Sequence, residues 1–508
     1  MVSKVFSAAT QGVEATPVEI EVNETPSLPS VVIVGLPDAA VKESRDRVKT
    51  AIENSGFRFP YARTTVNLAP ADIKKEGPSF DLPIAIGVLA ATGQLESDRL
   101  KDFCFIGELA LSGAVRRVRG ALSIAIEARR RGMRGVVVPP ENAQEAAVVE
   151  GVQIIPVRNL RHAASWLIGE TPIAPARADI DELFHRRREY EIDLTEVKGQ
   201  ESVKRAIEVA AAGFHHILLI GPPGAGKSML AQRMPTILPS LALDEALETT
   251  KVHSVAGVLR SDEPIVARRP FRAPHHTISD VGLVGGGRNP SPGEISLAHN
   301  GVLFLDELPE FKRSALEVMR QPLEDGHITV SRAAGTMTFP ARFMLVAAMN
   351  PTPDGKPAHE SRSSPNEIRR YMGRISGPLL DRIDLHVEVS AVKVPALAGG
   401  IDGESSPTVR ARVEAASDRQ RHRFQKHRTV RYNGQMAPKE IRQFCTLDDH
   451  CQQMLNLAVG DMLLSARAYH RILKVARTIA DLAESDTIRE EFLHEAIQYR
   501  SLDRQLWG

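Results

Sequence analysis

The chain has 508 residues, 43% apolar and 25% charged, the balance of a globular protein with room for about three domains. Lys and Arg number 64 against 63 Asp and Glu, so no global field attracts a polyanion and any nucleic-acid contact must come from local patches. Three cysteines, Cys104, Cys445 and Cys451, exclude a disulfide framework, and no apolar run has signal-peptide or membrane-spanning length, so a reducing, cytoplasmic, membrane-free setting is expected.

Residues 1–168 alternate strand and helix signals. Val18–Val22 alternates apolar and acidic residues, as a half-buried strand does. Ser30–Val34 is an apolar run. Asp38 caps a predicted helix reaching Asn54, with Ala40, Val41, Val48 and Ile52 on one face. Thr64–Leu68 reads as a strand, Phe80–Thr92 as a helix, Phe103–Leu111 as a strand and Gly120–Arg131 as a helix. Gly135–Pro139, Val152–Val157 and Leu160–Ile168 close the pattern. Lys75-Glu76-Gly77-Pro78-Ser79, then Gly107-Glu108 and Gly113, resembles the serine strip of Lon-type protease domains. That resemblance implies Ser79 as nucleophile with a lysine near position 122. Leu122 stands there and cannot activate a serine, so a Lon-like fold without peptidase activity is expected.

Pro172, Pro175 and the run Arg186-Arg187-Arg188 mark 169–190 as a linker, with the arginines a solvated charge run. The next stretch carries the sharpest signal in the chain. Gly221-Pro222-Pro223-Gly224-Ala225-Gly226-Lys227-Ser228 fits the phosphate-loop pattern G-x-x-x-x-G-K-[ST], between the apolar run Ile217–Ile220 and a helical sequence. Backbone N–H groups and the helix N-terminus would cradle phosphates, Lys227 would reach the β/γ-phosphates, and Ser228 would ligate Mg²⁺. Further on, Val302–Leu305 ends in Asp306-Glu307. Two carboxylates at the C-terminal edge of a buried strand face the ligand crevice of an open α/β sheet. Asp306 would hold the Mg²⁺ water shell and Glu307 would act as general base. Phe343–Met349 is a further apolar strand, ending at Asn350, which would meet the γ-phosphate or orient water. Arg382 is the candidate arginine finger for a neighbouring subunit's nucleotide, the alternative being an ion pair with Asp381 or Asp384. From about 396 the pattern is helical, and Arg467 opens a helix where a lid arginine would meet the γ-phosphate.

Two stretches suit sequence-independent phosphate contact. Residues 268–294 carry Arg268, Arg269, Arg272, His275, His276 and Arg288 among glycines, as an insertion interrupting the nucleotide-binding fold. Residues 328–339 read as a hairpin tipped by Arg332-Ala333-Ala334-Gly335. Arg332, Arg272 and Arg288 are the DNA candidates. Adjacent His275 and His276 have no evident third metal ligand.

With these motifs in order, the chain resembles the ComM/YifB family of magnesium-chelatase-like AAA+ proteins. Pro270–Thr277, Gly377–Asp384 and Leu473–Leu482 carry the closest likeness. The resemblance implies an α/β fold class: an N-terminal Lon-protease-like α/β domain (1–168), the linker (169–190), a central AAA+ P-loop α/β domain (191–395) and a C-terminal helical lid (396–508). It implies an ATP- and Mg²⁺-dependent homo-hexameric motor on single-stranded and branched DNA. The activity implied is branch migration in recombination during natural transformation, with room for recombination proteins as partners. A chelatase-type motor subunit and a protein-remodelling ATPase remain the other readings. Many members carry a zinc-like cysteine set between the Asn350 and Arg382 motifs. Here those positions read Thr352-Pro353-Asp354-Gly355 and Ser361–Pro365, and no zinc is expected.

Overall fold

A computed structural model describes residues 2–186, 190–260, 263–287, 290–332, 335–357, 359–391, 403–427, 429–462 and 464–502. They form two compact units. Met1–Arg186 and Ala246–Ala267 make the first; Arg187–Glu245 and Arg268–Gly508 make the second.

The first unit is built on a seven-stranded sheet, with order β3-β4-β2-β1-β5-β8-β9. Its strands are β1 (Val2–Gln11), β2 (Glu14–Thr25), β3 (Ser30–Val34), β4 (Arg63–Ala69), β5 (Phe103–Phe105), β8 (Gly135–Val138) and β9 (Gln153–Pro156). A separate small pair, β6 (Glu108–Leu109) and β7 (Val115–Arg116), lies between β5 and β8 in sequence. β1, β2 and β4 pair antiparallel, whereas β5, β8 and β9 run parallel to one another. The alternation in β2 places Val18, Ile20 and Val22 in the core, while Glu19 and Glu21 meet Lys4 of β1 at 2.6 and 3.2 Å. Asp38 caps the helix Ala39–Asn54 by accepting from the Val41 amide at 2.8 Å, as a short acidic cap should. The expected strand at 103–111 is broken after Phe105, because residues 106–107 turn away to the small pair.

Two buried carboxylates in this unit are satisfied in clusters, as burial requires. Asp81 is fully buried and accepts from Ser44, from Arg47 at 2.9 Å and from the Leu109 amide at 3.2 Å. Leu122 sits in the apolar core, and its amide donates to Glu145 at 3.1 Å. Glu145 also accepts from Asn142 at 3.1 Å and from Ser254 Oγ. Ser254 belongs to the excursion 246–267, which packs within this unit and not with the residues flanking it in sequence. The stretch expected as linker is not featureless. Ala176 donates to the Ile154 carbonyl at 2.8 Å, and Ile180–Arg186 is a helix. Arg187 and Arg188 lie outside the described residues.

The second unit contains β10 (Ile217–Ile220), β11 (Phe271–Arg272), β12 (Gly285–Gly286), β13 (Ser291–Pro292), β14 (Val302–Leu305), β15 (His327–Arg332), β16 (Gly335–Pro340), β17 (Met344–Met349) and β18 (Leu385–Glu388). A parallel five-stranded sheet has order β11-β14-β17-β10-β18. β10, β14 and β17 are buried throughout, which is why they read as continuous apolar runs. β15 and β16 form the expected hairpin, from His327↔Pro340 to Arg332↔Gly335. The expectation of an insertion starting at 268 is corrected in part, because Phe271 and Arg272 pair with Val302 and Leu303 as the edge strand of the sheet.

The C-terminal region is helical, with Ser406–Arg423, Asp449–Asp461, Ala466–Leu482 and Glu490–Gln498 as its longer helices. Ser465 caps the third of these, accepting from the Ala468 amide at 3.2 Å. The charged residues of the 473–482 segment are structural. Asp481, fully buried, accepts from Arg423 at 2.7 Å, Asn433 at 2.8 Å and Arg477 at 3.1 Å.

Candidate active site

The phosphate loop lies between β10 and the helix Lys227–Ile237. Gly221 is required by space, since a Cβ there would come within 2.1 Å of the Val389 carbonyl oxygen. Gly226, at φ +88°, occupies a conformation that side-chain-bearing residues rarely adopt. Gln200 braces the loop, donating to the Ala225 carbonyl at 2.8 Å and to the Ser390 carbonyl at 2.9 Å.

Because β10, β14 and β17 are parallel and in register, their C-terminal ends open on one edge. There Pro223–Met229, Asp306, Glu307, Met349 and Asn350 line a cleft of about 370 Å³. Ser228 Oγ donates to Asp306 Oδ2 at 2.6 Å, and the Glu307 amide donates to Asp306 Oδ1 at 2.9 Å. A hydroxyl beside an oriented carboxylate is the oxygen donor set that Mg²⁺ takes alongside nucleotide phosphates. Lys227 is buried in the loop. Its ammonium donates to the carbonyls of Gly221 at 2.6 Å and Pro222 at 3.0 Å, and to Asn350 Oδ1 at 3.1 Å. Burial pulls this ammonium below the usual lysine range, against the opposing pull of Asp306 and Glu307. An ammonium only donates, so it fixes the Asn350 amide with its oxygen toward Lys227 and its NH₂ free to meet a phosphate or a water.

Glu307 stands at the turn after β14, at φ +52°, a strained backbone region for a residue with a side chain. Its carboxylate is exposed and pairs with His276 Nδ1 at 3.3 Å. From sequence, His276 is named within the basic stretch 268–294 and beside His275, and neither reading points to Glu307.

The two expected arginines stand together elsewhere in this unit. Arg382 is buried, with its guanidinium 2.6 Å from Glu324 Oε1 and donating to the Pro378 carbonyl at 2.5 Å. The expected alternative partners, Asp381 and Asp384, are not its partners in these contacts. Arg467 approaches the same Glu324 oxygen at 3.8 Å. Arg382 lines a separate cavity with Glu317, Arg320, Glu324, Ile328 and Thr329, none of them a phosphate-loop residue.

Of the DNA candidates, Arg272 is held bidentately by Glu294 at 2.7 and 2.8 Å. Arg288 and the side chain of Arg332 lie outside the described residues. Arg269, also named for phosphate contact, is corrected to a structural role. It is buried and donates to the Pro239 and Asn300 carbonyls, Glu245 and Tyr432. In the loop after Asn350, the Asp354 carboxylate accepts from Thr352 at 2.7 Å, Ser361 at 2.8 Å, the Arg362 amide at 2.9 Å and the Lys356 amide at 3.4 Å. These bonds hold its carboxyl well below the usual carboxylate range. Among the described residues, no group of at least 3 His, Cys, Asp or Glu side chains stands ready to hold a metal ion.

The chain is 46% identical over 509 residues to the uncharacterized protein YifB of Escherichia coli, covering 99% of this chain and 98% of that one. It is likewise 46% identical over 506 residues to the competence protein ComM of Haemophilus influenzae, with 99% and 98% covered. It belongs to the ComM/YifB family of magnesium-chelatase-like proteins. Consistent with that family, the description "Magnesium chelatase, subunit ChlI" fits residues 193–397. The related descriptions "Subunit ChlI of Mg-chelatase" and "Magnesium chelatase, subunit ChlI C-terminal" fit 20–142 and 403–500. A magnesium-chelatase subunit ChlI of Euglena gracilis is 23% identical over 227 residues, 40% of this chain and 60% of its own length. The ComM/YifB members match end to end, whereas this chelatase subunit matches in one part.

Proposed function

We propose that this AAA+ protein is an ATPase that drives branch migration of DNA as a ring, in recombination during natural transformation. The observation that carries the ATPase reading is the joining of Lys227, Ser228, Asp306, Glu307 and Asn350 in one cleft. The end-to-end likeness to a competence protein supports the DNA reading over a chelatase-type subunit, whose relatives match a part of the chain.

The phosphate loop and the N-terminus of the helix Lys227–Ile237 bind the triphosphate through backbone N–H groups. Lys227 exchanges its carbonyl partners for β/γ-phosphate oxygens. Ser228 and Asp306 would hold Mg²⁺, which offsets phosphate charge when bound. Glu307 accepts the proton of the attacking water, and the Asn350 NH₂ group orients that water or the γ-phosphate. Arg382 and Arg467, gathered on Glu324 outside the cleft, serve the nucleotide of a neighbouring copy in a closed, heterologous ring. Arg272, Arg288 and Arg332 supply sequence-independent phosphate contacts once Arg272 leaves Glu294.

The test is ATP hydrolysis by the purified protein with no DNA, single-stranded DNA, duplex and a four-way junction, with Lys227→Ala as blank. Stimulation by single-stranded or branched DNA that is absent from the blank is the expected result. Hydrolysis indifferent to every DNA refutes the motor and turns the search to a protein or tetrapyrrole partner.

A further inference from the structure

A further cavity lies at the opposite edge of the parallel sheet from the nucleotide cleft. His216 directly precedes β10, and Arg342 and Phe343 directly precede β17. Both strands run in parallel toward the phosphate loop and Asn350, so these residues mark the N-terminal edge of the sheet. There a cavity of about 510 Å³ is bounded by residues 429–438 and by Arg471 and Lys474 of the helix Ala466–Leu482. That is an ordinary size for a small-molecule site. None of its lining residues belongs to the phosphate loop or to the pair Asp306-Glu307.

The charged groups around this cavity do not cancel. Arg471 is engaged by Asp384 at 2.9 Å, and Glu324 by Arg382 at 2.6 Å. Glu440 accepts from the Ala437 amide at 3.1 Å and stands 3.5 Å from His427 Nδ1. Two cations are left. The Arg342 guanidinium has no hydrogen-bond or ion-pair partner among the described residues, although its backbone amide donates to His299 Nδ1. Lys474 is 8% exposed, and among the described residues its ammonium donates to the Gly434 carbonyl alone, at 3.0 Å. Burial, and then the neighbouring Arg471, pull that ammonium down to about 8, as befits a buried cation with few acceptors. His216 adds a neutral donor. Burial pulls its ring down to about 4, and its Nδ1 accepts from the Leu345 amide at 3.0 Å, which leaves the ring proton on Nε2. Against these stands Asp325, which is exposed to solvent.

We infer that this cavity binds a small phosphate-bearing anion, free phosphate or a phosphomonoester, which joins Arg342 and His216 at the sheet edge to Lys474 on the helix. A dianion with several acceptor oxygens matches two cations and an N–H donor through charge-assisted hydrogen bonds. Phe214, Phe343, Val430 and Met436 form an apolar part of the wall, against which the organic part of a phosphomonoester lies. Arg467 stands in the first turn of the same helix and approaches Glu324, so the ligand also fixes that arginine. This last consequence rests on the function proposed above, whereas the binding does not.

The experiment measures binding by calorimetry, with inorganic phosphate and AMP as probes. The parent is full-length Lys227→Ala, whose phosphate loop has lost the ammonium that would compete for them. Arg342→Gln and Lys474→Met are each added to that parent, and melting temperatures without ligand show whether each folds. A Kd below about 1 mM is expected for at least one probe. Arg342→Gln and Lys474→Met should each weaken it about tenfold or more. Tighter binding of AMP than of phosphate assigns the organic part of the ligand to the apolar wall, and equal affinities assign recognition to the phosphate group alone. With Lys227 intact, Arg342→Gln should leave the KM for ATP within about twofold of wild type. Weaker binding than about 1 mM for both probes, or an affinity that folded Arg342→Gln leaves unchanged, overturns the inference. If Lys474→Met does not fold, Arg342→Gln decides alone. The result stands whether or not any DNA stimulates hydrolysis, so failure of the motor reading and failure of this one are told apart.

Discussion

Placing Arg382 on a neighbouring copy's nucleotide has a quantitative consequence for mixed rings. Arg382 and the phosphate loop line different cavities of the same chain, and the Arg382 guanidinium is tied to Glu324 and the Pro378 carbonyl. Each working site then takes Glu307 from one subunit and Arg382 from the next. Arg382→Ala alone should lose roughly 10³-fold or more in hydrolysis, and Glu307→Gln alone roughly 10²-fold or more. Neither homo-oligomer has an intact site. In an equimolar mixture that reassembles with ATP and DNA, half the chains keep Glu307 and half of the neighbours keep Arg382. About one site in four is therefore complete in a heterologous ring. The mixture should recover roughly a quarter of the wild-type rate, about 25-fold or more above the better parent. Steady-state ATPase assays across mixing ratios give the curve, with wild type titrated by Glu307→Gln to show that subunits exchange. A mixture that stays at the level of its parents while subunits exchange refutes action in trans. So does an Arg382→Ala protein that hydrolyses ATP like wild type.

Three further outcomes are expected. ATP at about a hundredfold its Kd should stabilise the wild type by about 2.7 kcal/mol, and Lys227→Ala should lose most of that gain, read by melting with and without nucleotide. Asp384 is buried, which would raise its carboxyl, but Arg471 at 2.9 Å and the neighbouring His215 and His216 prevail and hold it well below the usual range. A depressed carboxyl stabilises the fold above its unfolded value of about 3.9 and loses that contribution as pH falls through the folded one. Urea midpoints should therefore fall below about pH 4 more steeply in the wild type than in Asp384→Asn. That variant should also be weaker by about 3–5 kcal/mol at neutral pH, because Arg471 loses its partner. Burial pushes the Cys104 and Cys445 thiols up to about 12 and that of Cys451 to about 11. An alkylating reagent at pH 8 should label none of them until denaturant is added, and rapid labelling of the native protein counts against this packing.

The candidate site was legible because its chemistry is local in the chain. Gly221–Ser228 lie side by side in sequence, and a buried parallel strand such as Val302–Leu305 announces itself by having no polar face. Where the carboxylates go follows from strand direction. What could not be read are pairings between segments that only the fold brings together. Nothing near Glu324 in sequence says that it gathers Arg382 and Arg467, and nothing near His276 points to Glu307. β1 was missed because its buried positions include Ser7, Ala8 and Ala9, small residues that carry little strand signal. The excursion 246–267 was missed for another reason. Its helix has an ordinary sequence, and no local pattern states which of two cores a helix joins. Arg269 misled because a basic residue in a Gly-rich stretch reads as exposed, whereas its polar partners are scattered from Pro239 to Tyr432.

The loop held by Asp354 depends on conditions in a way a thiolate-bound loop does not. Its fastening is a carboxylate with hydroxyl and amide donors, all drawn from residues 352–362. Those bonds need no delivered ion, cannot be oxidised and cannot be stripped by a chelator. Acid strong enough to protonate a carboxyl held so far below its usual range is what would undo them. The segment that follows Asn350 therefore keeps its shape through swings in metal supply and redox state.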